Sequence, residues 1–171
     1  MGGRKAQELM IEVFSYPHIP YWFTIRQAVG IIQNTLLGKD KCVQPMAVLV
    51  FDEKYNFMGT LAMKDVLRGL EPRFLEPSTK AQGMPDSEEN LTLLWGNLLP
   101  AEIKGRAERQ VRELMRPVKH VLGPDDDVSK IAYHLVHDDL PLLPVIKDGK
   151  IIGLVRMVEV FQEVAGILLN K

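Results

Sequence analysis

Cysteine is almost missing from this chain of 171 residues, where Cys42 stands alone. A single thiol closes no internal disulfide, so the expected fold is held by its core and suits a reducing compartment. Cys42 itself, just ahead of an apolar run, reads as a small buried hydrophobe. Long hydrophobic runs are missing too. The longest uninterrupted one, Met46 to Phe51, is far too short to cross a bilayer. The N-terminus has no signal-peptide core, and Ala6 stands where a myristoylation signal wants Ser or Thr. The expectation is a cytoplasmic protein with no membrane association. Charge of one sign is equally absent: 21 basic side chains stand against 22 acidic ones, for a net charge of −1. No overall field would draw in a phosphate backbone, so no nucleic acid partner is expected. P-loop, nucleophile elbow and zinc-protease helix are all missing, and no acid, base and nucleophile converge, so no enzymatic activity is expected.

What the chain does have is an internal repeat. Residues 46–65 read MAVLVFDEKYNFMGTLAMKD and residues 143–159 read LPVIKDGKIIGLVRMVE. Each is an apolar run, a turn, and a second apolar run broken by one glycine. An acid follows at the same spacing, Gly59 to Asp65 and Gly153 to Glu159. A repeat fixes the unit of architecture before any element is assigned. It extends upstream, where Glu8-Leu9-Met10 recurs as Glu113-Leu114-Met115, with a longer interval to the glycine in the first copy.

Between leader and hairpin both copies carry helical periodicity. Ile25, Ala28, Val29, Ile32 and Leu36 define it in the first copy, and Val128, Ile131, Ala132, Leu135 and Val136 in the second. Around them the pattern predicts a short helix over 4–14, an extended segment over 16–23, and a hairpin of strands 46–51 and 57–61 feeding a helix over 63–70. The prolines at 72, 77 and 85 mark a loop over 71–86. Leu91–Trp95 is apolar enough to need a covering surface, and a charged helix is expected over 101–115. Asp148-Gly149 turns the second hairpin, between strands 143–146 and 151–155. A closing helix over 157–169 should turn Val160, Phe161, Val164 and Leu168 inward. Asp125-Asp126-Asp127 reads as an N-cap with favourable first-turn charge for the helix from Val128.

The second copy, from Val111 to Val164, resembles a cystathionine-β-synthase (CBS) domain, and the first looks like a diverged one. Two in tandem resemble a Bateman module. The resemblance implies an α/β (α+β) fold of two β-α-β-β-α units, packed sheet to sheet with pseudo-two-fold symmetry. The expected organisation is a first unit over 1–70, a linker or insertion over 71–110, and a second unit over 111–171. The implied function is a stand-alone regulatory module. It would sense an adenine nucleotide or adenosyl ligand (AMP, ADP, ATP or S-adenosylmethionine) in the cleft between repeats, pair as a homodimer and signal to a partner protein. The alternative is a ligand-free dimeric scaffold with degenerate pockets.

Family position also implies the nucleotide-binding residues. The family motif runs from a glycine, through Thr or Ser, to an Asp at a helix start, where free N–H groups favour phosphate and the acid takes ribose hydroxyls. Here Asp65 matches the acid, Ala62 has lost the hydroxyl, and Arg156 and Glu159 replace the hydroxyl residue and the Asp. The other walls are His120 in the segment to Leu122, Leu142 and Pro144 entering a strand, Ile19 in the segment 18–20, and Met46 leading to Val48. From the residues alone, Asp65 is either a ribose contact or a helix-start charge. Arg156 either meets a phosphate or pairs with Asp148 or Glu159. His134 and His137, three apart on a helix, supply too few ligands for a stable metal site, and none is expected.

Overall fold

The computed structural model describes residues 3–37, 47–71 and 100–169. Met46, Cys42, the segment Leu91–Trp95 and most of the proline-marked loop lie outside the described residues.

The chain begins with a one-turn helix, α1 (Ala6–Leu9), then a two-residue strand, β1 (Ile11–Glu12), and a 3-10 turn at Val13–Ser15. The helix expected over 4–14 therefore stops early. Its backbone is diverted into pairing, Ile11 with Leu154 and Glu12 with Gly153. After β2 (His18–Pro20) comes α2 (Ile25–Leu37). Thr24 opens this helix with a reciprocal cap: its hydroxyl accepts the Gln27 backbone N–H at 3.2 Å, and the Gln27 side-chain Oε1 accepts the Thr24 backbone N–H at 2.9 Å. The first hairpin is β3 (Ala47–Phe51) and β4 (Phe57–Ala62), followed by α3 (Met63–Leu70).

Where one charged helix was expected over 101–115, a helix over 100–106 (α4) ends in a turn, and a 3-10 turn follows at Val111–Glu113. The break lets the backbone of 107–112 dock on the start of the first unit: Ala107 O and Arg109 O accept the N–H groups of Arg26 and Ile25, and Val111 N–H donates to Phe23 O. β5 (Arg116–Pro117), α5 (Val128–His137), β6 (Leu142–Lys147), β7 (Lys150–Arg156) and α6 (Met157–Leu168) complete the chain. The second hairpin turns through Asp148 and Gly149 at φ 51° and 76°, the left-handed pair that an Asp-Gly turn supplies at low cost.

Two sheets result, ordered β2-β3-β4-β5 and β1-β7-β6. Each sheet therefore takes its edge strand from the leader of the other half. β5, preceding the second unit's helix, pairs with β4, and β1, at the N-terminus, pairs with β7. The exchange extends into the cores, with Val111 packed in the first unit and Ala6 and Leu9 in the second. The glycine of each repeat sits at the crossing. A β-carbon on Gly59 would lie 2.1 Å from Arg116 O, and one on Gly153 would lie 2.6 Å from Ile11 O. Glycine is required at both because another backbone passes there.

A third apolar cluster lies between the sheets, made of Val13, Tyr16, Ala47, Leu49 and Phe51 with Leu142 and Leu154. This is the sheet-to-sheet packing that the repeat implies, with both hairpins contributing. Tyr16 crosses it and donates its hydroxyl to Ala47 O at 2.6 Å. Burial pushes its ionisation up to about 12.

Helix periodicity overstated several inward faces. Val29 and Val136 are exposed, and of the residues expected to face inward on α6 only Val160 is buried. Phe161 and Leu168 are 69% and 74% exposed, and Val164 lies at 41%.

Candidate functional site

The acid of each repeat is already committed inside the fold. Asp65 is 2% exposed. One carboxylate oxygen accepts Arg116 Nε at 2.8 Å and lies 3.6 Å from Arg68; the other accepts the Ala62 N–H at 3.0 Å. The Arg116 partner arrives on the exchanged strand β5. Half of a capping box is thus present, the half in which the acid reaches back to the N-cap N–H, because Ala62 has no side-chain acceptor. Glu159 repeats the arrangement at α6. It accepts the Arg156 backbone N–H at 2.9 Å and pairs with the guanidinium of the same residue. Arg156 is 6% exposed, so the cation that opposes the helix dipole is neutralised by its own first-turn acid. The pair with Glu159 that the sequence allowed for Arg156 is present in the fold. Glu159 also borders a groove of about 490 Å³ between α1 and α6, lined by Arg4, Glu8 and Glu163.

The remaining expected wall residues are distributed rather than gathered. Ile19 belongs to the first unit's core and Leu142 to the cluster between the sheets. Pro144 is buried in β6, where its carbonyl accepts the Leu122 N–H at 2.8 Å. Ala62 packs against the central cluster. His120 stacks on His134, with ring centroids 4.7 Å apart.

An open cleft of about 610 Å³ lies instead at the turn ends of the two hairpins. Its walls are paired across the repeat. Phe51 faces Phe57 in one hairpin register and Ile146 faces Ile151 in the other; all four line the cleft. His18 and Val121, one residue before the matched edge positions Ile19 and Leu122, both reach it, as do Val13 and Val118. Aromatic rings dominate the first unit's side: Phe51 lies 5.8 Å from Phe57 and 6.1 Å from Tyr55, and His18 meets Phe51 edge-on at 5.8 Å. Lys54 and Lys150, both exposed, supply positive charge, one from each turn. An apolar, ring-walled cleft with a few cations suits an aromatic ligand bearing negative charge. The sequence held a signal for it, since His18 and Val121 fall inside the expected wall segments 18–20 and 120–122.

A second cluster lies outside this cleft. His134 Nδ1 is 2.8 Å and His120 Nε2 is 3.5 Å from the same Asp138 oxygen. The hydrogen bond from His134, reinforced by the neighbouring histidine charges, holds the Asp138 carboxyl below its ordinary range. The pair weighed from spacing, His134 with His137, is not the one the fold brings together; His137 packs on Tyr133.

With this geometry in place, comparison with known proteins is direct. Residues 111–166 match the CBS domain family model. No curated protein matches the chain. Among solved structures, CBSX2 in complex with AMP superimposes with a TM-score of 0.64 at 18% identity, covering 99% of this chain and 100% of that one. A CBS domain-containing protein of unknown function from Bacillus anthracis gives 0.67 at 17%, covering 99% and 94%. The cytosolic domain of the Mg2+ channel MgtE in complex with ATP gives 0.59 at 18%, covering 92% of this chain and 48% of that one. Residues 111–166 thus match a CBS domain, and the chain as a whole has the mixed α/β fold of these CBS-domain structures. No helix among the described residues is long and apolar enough to cross a membrane.

Proposed function

We propose that this chain is a regulatory rather than catalytic CBS pair, which senses an adenine nucleotide in the cleft between its hairpin turns and passes its state to a partner protein. The observation that carries this is the cleft itself, with ring-lined walls drawn from both repeats and a lysine from each turn. Its volume lies within the range of small-molecule sites, roughly 300–1,000 Å³. The AMP-bound and ATP-bound CBS structures of the same fold support the ligand class. A base would stack among Phe51, Phe57 and Tyr55, and a phosphate would lie toward Lys54 and Lys150. Because both hairpins form the walls, a bound nucleotide favours one arrangement of the halves over others, which is what a partner requires in order to read it.

The test is thermal unfolding against AMP, ADP, ATP and S-adenosylmethionine. A ligand at 100 times its dissociation constant should add about 2.7 kcal/mol of stability. The double substitution of Lys54 and Lys150 by alanine should weaken the nucleotide about tenfold, a loss of about 1.4 kcal/mol. No shift with any of the four up to millimolar concentration would overturn the reading.

The commitment of Asp65 and Glu159 to internal pairs favours the second reading, a scaffold that binds no nucleotide. Both readings share a homodimer, and the exposed apolar residues of α6 are the surface we propose for it. Replacing Phe161 and Leu168 by glutamate should convert the dimer to a monomer by light scattering, with the melting curve of the monomer otherwise intact. An unchanged oligomeric state would move the dimer surface elsewhere.

A further inference from the structure

We propose that His120, His134 and Asp138 form a binding site for a borderline divalent transition-metal ion, Zn2+ being the type case, at the C-terminal end of α5. One ligand atom from each residue falls within 4.8 Å of the others, and all three side chains are within reach of solvent. With metal–ligand bonds of about 2.0–2.1 Å, tetrahedral coordination places donor atoms about 3.3 Å apart. The separations from the Asp138 oxygen, 2.8 Å to His134 and 3.5 Å to His120, bracket that edge. The edge between the two histidine nitrogens lies within 4.8 Å, so closing on an ion requires the rings to approach by at most about 1.5 Å. The donor set, two imidazoles and one carboxylate, suits zinc and its neighbours and is poorly matched to Mg2+, which prefers oxygen ligands. A fourth position is left for water or an external ligand.

An ordinary helix-end ion pair explains part of this cluster. His134 and Asp138 are four apart, and a histidine near a helix C-terminus is favoured by the dipole. It does not explain His120. That ring comes from the irregular segment between β5 and α5 and stacks on His134 at an interplanar angle of 28°, its Nε2 turned toward the same carboxylate. A metal ion would take His120 Nε2, His134 Nδ1 and the Asp138 oxygen at once. It would also tie the 118–121 segment to α5, and Val118 and Val121 in that segment line the cleft. The metal site does not depend on what the cleft binds.

Titration of the whole chain with Zn2+ by isothermal calorimetry should show one strong equivalent, with no comparable heat from Mg2+. Co2+ should give the visible absorption of a low-coordinate histidine site. His134→Gln and Asp138→Asn should each weaken Zn2+ at least tenfold, while His137→Gln and Cys42→Ala leave it unchanged. His120→Gln, in a segment outside helix and strand, keeps the test decisive if the α5 variants fail to fold. Zinc binding that survives His120→Gln, or that disappears with Cys42→Ala or His137→Gln, would overturn the site. So would no zinc binding up to millimolar concentration.

Discussion

Replacing Gly59 by alanine is expected to destabilise the protein by about 3 kcal/mol, the upper end of what overpacking costs. The added carbon would sit 2.1 Å from Arg116 O and 3.2 Å from Pro117 Cα. These are backbone atoms, which cannot swing aside as a side chain would, so relief requires β5 to part from β4. Since β5 is the second unit's leader, the damage falls on the exchange that joins the halves. Gly153→Ala should cost less, because two of its three closest contacts are Met10 side-chain atoms and a methionine can move. Gly30→Ala is the control of opposite sign. It lies within α2 with nothing inside 4 Å, and should stabilise by about 0.5–1 kcal/mol. Urea denaturation of the three variants checks the order, and equal costs at Gly59 and Gly30 would refute the crossing as the reason for the glycine.

The same geometry explains how much of the fold could be read in advance. The hairpins were legible because their signals are local: alternating apolar runs, an Asp-Gly turn, and a glycine at fixed distance from an acid. The helix over 63–70 followed from the same repeat. The leaders were misread because their fate is set by distant chain. Nothing in Met10-Ile11-Glu12 says that Gly153 and Leu154 will supply a pairing edge, so a helix was expected where β1 forms. The outward position of Phe161 and Leu168 has a related cause. Periodicity shows that a helix has an apolar face, and leaves open whether that face is covered by the same chain.

The site was less legible than the fold. Residues matched by position to the family motif, Asp65 and Glu159, lie at helix starts as expected, yet their hydrogen-bonding capacity is engaged by Arg116 and Arg156. Arg116 stands 51 positions from Asp65, on a strand whose crossing could not be inferred from spacing. The departures at positions 62, 156 and 159 were visible, and they coincide with acids that hydrogen-bond the first turn of their own helices. Two members of the cleft at the turns, His18 and Val121, fall in the expected wall segments, while its lysines and aromatics are scattered through the chain and converge only when the two hairpins are packed together.

Asp65→Ala separates these roles most sharply, and a loss of about 3 kcal/mol is expected from it. The substitution removes the acceptor of the Ala62 N–H and leaves the Arg116 guanidinium, about one third exposed, beside an emptied position. An unsatisfied buried N–H costs roughly 1–3 kcal/mol, and the partly exposed arginine recovers some hydration, which keeps the total below that of a fully buried broken pair. Asp65→Asn retains one acceptor and should cost about half as much. Under the cleft proposed above, the stabilisation that a saturating nucleotide adds to either variant should equal the wild-type increment. If Asp65→Ala instead melts like wild type and loses the nucleotide shift, the carboxylate is a ligand contact, the Arg116 pair must open in solution, and the site belongs at the start of α3 rather than at the hairpin turns.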